Sequence, residues 1–197
     1  MAIEFNKTAY PGFISPFWRK EVKVLPGGFT MKQTSFANGD VIMRGAFLHV
    51  DFSDMSAAIV KIGKVVDGGT ATKPRVSKNN NFAVGDVVAK VDGDSTTTVK
   101  SIDRSNAEYD VIETASSLTL EAGDFIVEAD SENKKQKYVA NAVLAADLEI
   151  KGHGIMTIDA SYDCILIKSI CAPFPADWLI ENGFGLKANP NILIINQ

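Results

Sequence analysis

From Phe36 onward the chain alternates apolar and polar residues in short runs rich in β-branched and aromatic side chains. Gly, Asp, Asn or Ser breaks these runs roughly every 8 to 12 residues, a spacing that predicts strands joined by tight turns. In the run 46–52, Leu48, Val50 and Phe52 fall on one face, while Phe47, His49 and Asp51 fall on the other. Runs 96–103 and 109–114 read as two strands of a hairpin, and 125–129 as a further strand. Segments 147–151, 155–160, 163–170 and 190–195 continue the pattern. The last of these is so apolar that it needs cover, from its own chain or from another subunit. One short helix is expected near residues 175–182, where Pro175 suits a helix start and Gly183 or Gly185 a stop. The fold class predicted is mainly β: a short-stranded β-barrel or sandwich body with an extended N-terminal arm.

One motif recurs three times, as Phe36-Ala37-Asn38-Gly39-Asp40-Val41-Ile42, Phe82-Ala83-Val84-Gly85-Asp86-Val87-Val88 and Leu120-Glu121-Ala122-Gly123-Asp124-Phe125-Ile126. Glycine accepts the positive φ of a tight turn, and Asp can accept nearby backbone N–H groups before the apolar pair opens a strand. The unequal spacings predict similar corners of one β fold rather than solenoid repeats.

The first 35 residues differ from the rest. They carry five basic and two acidic residues, against 15 basic and 22 acidic in the remainder, so the overall charge of −4 conceals a basic start and an acidic body. Prolines at 11 and 16 block regular ladders there, and the aromatics are too closely spaced to form one helical face. Residues 1–35 are therefore read as an extended arm and 36–197 as the body, with a candidate compact subdomain over 73–130. Residues 67–70 and the lysine-rich loop 131–137 are its expected hinges. Tyr10, Phe13, Phe17, Trp18, Arg19 and Lys20 are the candidate assembly contacts. The aromatics among them either cover the chain's own core or anchor a neighbouring subunit.

Candidate chemistry narrows the picture by exclusion. At 197 residues the chain can bury a core without disulfide or metal staples, and Cys164 and Cys171 match no common zinc half-site. An acidic balance argues against nucleic-acid binding. No stretch approaches the roughly 20 apolar residues of a membrane helix, and the start lacks a secretory pattern, which predicts a cytoplasmic chain. His49 lies in a strand-like run and His153 in a glycine-flanked turn, and neither has the neighbours of a catalytic base. No nucleophile elbow or phosphate-binding loop is present. Asp92-Gly93-Asp94 reads as a hairpin turn rather than a calcium loop. Acid pairs such as Asp51/Asp54 or Asp159/Asp163 could serve a glycosidase if a cleft brought them within about 5 to 10 Å of each other. Catalytic, cofactor and metal residues are accordingly expected to be none.

The run Phe82-x-x-Gly85-Asp86-Val87-Val88, Val99-x-Ser101-Ile102-Asp103, Tyr109-Asp110-x-Ile112 and Leu120-x-x-Gly123-Asp124-x-Ile126-Val127-Glu128-Ala129 resembles the core of tailed-phage head-fiber and head-decoration proteins. The resemblance implies a non-enzymatic virion protein made in the host bacterial cytoplasm. Such a protein sits on the capsid exterior as a trimer, with one part docked and another projecting, and its partners are itself and the capsid protein. No catalytic residue carries over. The rival readings are a carbohydrate-binding or adhesion β-module and a small β-rich hydrolase using a carboxylate pair.

Overall fold

A computed structural model describes residues 14–18, 23–33, 35–132, 134–151, 156–181 and 183–196. The chain is mainly β. Its strands are β1 (Lys23–Met31), β2 (Val41–Ile42), β3 (Phe47–Asp51), β4 (Ser56–Ile59), β5 (Ile62–Thr70), β6 (Lys73–Ser77) and β7 (Val87–Lys90). There follow β8 (Thr96–Asp103), β9 (Tyr109–Thr114), β10 (Phe125–Glu128), β11 (Ala142–Leu144), β12 (Leu148–Glu149), β13 (Thr157–Ile167) and β14 (Ile192–Ile195).

Two β units share the chain. In the first, the pairings run β1–β4–β3–β11–β13, and β13 pairs again with β1, so the sheet returns on itself as a ring. The second is a closed barrel in the order β10-β5-β6-β9-β8-β7, all antiparallel, with β7 against β10 completing the circuit. It is an excursion of the chain between β4 and β11, entered at Lys61/Ile62 and left at Glu128/Ala129. Closure leaves neither unit with a long unpaired edge inside its circuit.

Three apolar clusters fill these units. Phe29, Leu48, Val50, Ile59, Leu144 and Ile158 occupy the ring. Val65, Val76, Phe82, Val88, Ile112 and Ile126 occupy the barrel. The third lies on the outer side of β3, β11 and β13, where Phe47, Val143 and Leu166 meet Phe174, Ile192 and Ile194 of the C-terminal segment. The apolar β14 is covered internally. Its Ile192 pairs in parallel with Cys164 on one side, while on the other Leu193 bridges Gly185 and Ile194 N–H donates to the Phe184 carbonyl.

Several expectations change in the fold. Residues 23–31, counted with the arm, form β1 of the ring: Phe29 is fully buried, and a register shift between Leu25 and Phe29 absorbs Pro26, Gly27 and Gly28. The expected hinge at 67–70 is instead the far end of β5, where the ladder to β6 loses register opposite Pro74, which has no N–H to donate. Segments expected as two strands, 155–160 and 163–170, join into the single β13, with Ser161 buried at mid-strand. The helix expected over 175–182 is one 3-10 turn, Ala176–Trp178. It stops because Leu179 is extended and bridges Leu186, while Ile180 N–H reaches the Gly185 carbonyl; a hairpin takes the residues a longer helix would need.

The three Gly-Asp motifs are the same corner built three times. Gly39, Gly85 and Gly123 have φ of +88°, +93° and +98°. In each turn the Asp N–H donates to the carbonyl three residues back, at 3.1, 3.2 and 3.1 Å, as in a type II turn. The Asp carboxylate then accepts the N–H of that same residue: Ala37 to Asp40 at 2.8 Å, Ala83 to Asp86 at 2.7 Å and Glu121 to Asp124 at 2.7 Å. A fourth corner at Met43–Ala46 has Gly45 at φ +85° with Ala46 in place of the Asp, so it lacks the Gly-Asp signature. Nothing lies within 4 Å of where a Cβ would stand at Gly85. Gly85→Ala is therefore expected to cost only the backbone strain of positive φ, about 1–2 kcal/mol, read as a lower urea midpoint.

Candidate functional site

The densest buried chemistry lies where the chain enters and leaves the barrel. Val88 and Ile126 point into the barrel core, so strand alternation puts Asp86 and Glu128, each two residues away, on the interior side at the barrel's end. Lys61 stands level with Glu128, whose N–H donates to the Lys61 carbonyl, and β10 runs between β5 and β7. Three ionisable side chains from three adjacent strands thereby converge on one mouth of the barrel.

Lys61 and Asp86 are 0% and 3% exposed at their side chains. Lys61 Nζ donates to both Asp86 oxygens at 2.7 Å and to Ser35 Oγ at 2.7 Å, and lies 4.4 Å from the centroid of the Phe36 ring. Glu128 accepts from Lys137 Nζ at 2.9 Å and from Gln33 Nε2 at 3.2 Å. Gln33 also brackets Ile59, accepting its N–H at 2.6 Å and donating to its carbonyl at 2.8 Å. Residues leading out of β1 thus lay polar groups over the barrel mouth and tie the two units together. A cleft of about 370 Å³ opens beside the cluster, lined among others by Lys32, Gln33, Glu128, Lys137 and Tyr138. The Glu128 carboxylate holds the Lys137 ammonium above its ordinary pKa, against the opposing pull of burial.

A neighbouring corner shows the same pairing in contact with water. Asp124 accepts Lys90 Nζ at 2.7 Å, with 21% of its own side chain and 37% of the lysine's exposed. Burial pushes the Asp124 carboxyl up, but the Lys90 contact and the Glu121 N–H together outweigh it and hold the carboxyl below the usual range. A carboxyl depressed in the folded state stabilises the fold above its unfolded pKa of about 4, and that contribution is lost as pH falls through the folded value. Lys90→Met should flatten the loss of stability between about pH 4 and pH 2, measured as urea midpoints across that range.

The other residues singled out in the sequence are scattered. Phe17 bridges Leu166 and packs on the outer cluster of its own chain. Trp18 N–H donates to the Ile165 carbonyl at 2.8 Å, and Ile167 N–H to that of Pro16 at 2.8 Å, so this stretch runs along β13. Tyr10, Phe13, Arg19, Lys20 and His153 lie outside the described residues. His49 Nδ1 donates to the Val139 carbonyl at 2.8 Å beside the Tyr138 ring. Asp51 accepts from Ser53, Asp54 pairs with Lys32, Asp159 accepts the Gly27 N–H and Asp163 pairs with Lys23, so both acid pairs serve turns and strand edges. Asp92 and Gly93 form the turn between β7 and β8. Burial pushes the thiols of Cys164 and Cys171 up to about 11 and about 12, which keeps both protonated at neutral pH. Among the described residues no group of three or more His, Cys, Asp or Glu is placed to hold a metal ion.

In the sequence Asp86 reads as a turn residue and Glu128 as part of a strand, while Lys61 and Gln33 carry no motif. The signal for Lys61 was present: it is the one charge in the apolar run Ala57-Ala58-Ile59-Val60-Lys61-Ile62. No family model, curated protein or solved structure matches the chain.

Proposed function

We propose that this chain is a structural subunit of a phage virion, a non-enzymatic head-fiber or decoration protein that binds the capsid exterior as a homotrimer. The observation that carries the reading is the two-unit build. The segment bearing the resemblance, residues 82–129, holds four consecutive strands of the closed barrel, and that barrel hangs from the ring at a single crossing. A self-contained unit entered and left at one place suits a projecting part. The ring then remains to dock, and the described stretch 14–18 is fastened along its β13. The Gly-Asp corners and the buried polar cluster at the crossing suit a rigid coupling of the two.

Because β1 begins at Lys23 and Phe29 is a core residue, a deletion reaching residue 30 would damage the ring. The informative deletion removes residues 1–13. Light scattering of the full chain should give three times 21.2 kDa. The full chain should also co-sediment with capsids assembled from the shell protein of the same genome, and the deletion should weaken one or both properties. A monomer that ignores capsids overturns the reading, and a monomer that binds glycans on an array replaces it with the carbohydrate-binding module.

A further inference from the structure

We propose that Lys61 and Asp86 are joined by an intramolecular isopeptide bond, formed within the folded barrel. This goes beyond the virion reading and does not depend on it. Of the three lysine–aspartate pairs at the barrel, Lys78–Asp110 and Lys90–Asp124 leave 31% and 37% of the lysine side chain exposed, whereas Lys61–Asp86 leaves 0%. Only there is the ammonium withdrawn entirely from water, with the carboxylate side chain at 3% exposure. Keeping an ammonium and a carboxylate dry costs far more than keeping the neutral amide that their condensation would give.

The geometry suits the reaction. Lys61 Nζ lies 2.7 Å from each Asp86 oxygen and therefore about 3 Å or less from Cγ, so that a swing of Nζ over the carboxyl face brings the two atoms together for attack. The Ala83 N–H holds Oδ2 at 2.7 Å, where it can stabilise negative charge developing on that oxygen. In the step, the Lys61 ammonium first passes a proton to Asp86 Oδ1, 2.7 Å away, which leaves a free amine beside a neutral carboxyl. The amine attacks Cγ, the Nζ–Cγ bond forms, a second proton moves from Nζ to Oδ1, and the Cγ–Oδ1 bond breaks to release water. Oδ2 remains as the amide carbonyl and keeps its Ala83 N–H. An ammonium and a carboxylate are consumed for one amide and one water, with no oxidant, reductant or activated co-reactant. The product ties the start of β5 to the start of β7.

The test is the intact mass of the purified, folded full-length chain under denaturing conditions. The expected mass is lighter than the sequence by one water, and tryptic mapping should recover a branched peptide joining residues 61 and 86, with no cleavage after Lys61. The double variant Lys61→Met, Asp86→Asn, confirmed folded by near-UV circular dichroism, should stay at full sequence mass. A folded wild-type chain that keeps its full mass after prolonged incubation overturns the proposal. So does a water loss that maps to a succinimide at Asp67-Gly68 or Asp92-Gly93 and reverses with hydroxylamine.

Discussion

Lys61→Met should lower the stability of the barrel by about 3–5 kcal/mol, because it strands the buried Asp86 carboxylate while the Lys137 ammonium at the same mouth is already paired with Glu128. Methionine keeps most of the lysine's volume, so the loss reports the missing charge rather than a cavity. The Asp86 side chain is 3% exposed, and water cannot take over from the ammonium without opening the barrel mouth. Whether the pair is ionic or condensed, the direction is the same. Guanidinium unfolding measures it, and a change in midpoint of less than 1 kcal/mol equivalent would show that the carboxylate finds another partner. The double variant Lys61→Met, Asp86→Asn should recover much of the loss. It removes both charges, and the asparagine oxygen can still accept the Ala83 N–H that closes the corner. Asp124→Asn in the open corner, where Lys90 already meets solvent, should cost no more than about 1 kcal/mol.

Phe47→Ala should cost about 3–5 kcal/mol and loosen the C-terminal cover before the ring itself. Phe47 is 0% exposed and meets two rings edge-on, Phe174 at 5.8 Å and Trp178 at 5.6 Å between centroids. Those ring pairs contribute about 1 kcal/mol each beyond area, and the rest comes from burial and from the cavity left behind. Trp178 is one of only two tryptophans, so the variant should show a red shift of emission and a weakened near-UV signal at lower denaturant than the wild type. Phe52→Ala is the control. Its ring is 59% exposed with one edge contact to Phe29, and it should change the midpoint by about 1 kcal/mol or less. Equal losses at the two positions would mean that the C-terminal segment does not seal Phe47.

These two phenylalanines show where the pattern was legible and where it misled. Alternation along β3 places Leu48 and Val50 in the ring, and they are there. It also assigns Phe52 to that inner face and Phe47 to the outer one. Phe47 becomes fully buried because residues 174–194 fold back over the outside of β3, β11 and β13. Period-two patterning records which residues share a face, but not whether a distant segment covers the second face. The same limit explains β1. Its prolyl and glycyl residues read as an arm because a bulge that absorbs them is visible only when β13 lies alongside.

Local features were legible in the residues alone: the strand pattern, the hairpin of β8 and β9, and the Gly-Asp corners, whose geometry is written in four consecutive residues. A glycine with positive φ and a carboxylate three residues from the N–H it accepts need nothing distant. Which strands close into which unit, and what each charge faces, follow only from long-range pairing. Lys61, Asp86 and Glu128 are 25 and 42 residues apart along the chain. They meet because β10 pairs with both β5 and β7, and barrel closure buries all three at one mouth. The pairing of long-separated strands sets the burial of a charge, and burial turns an ordinary lysine and aspartate into the chemistry at the crossing.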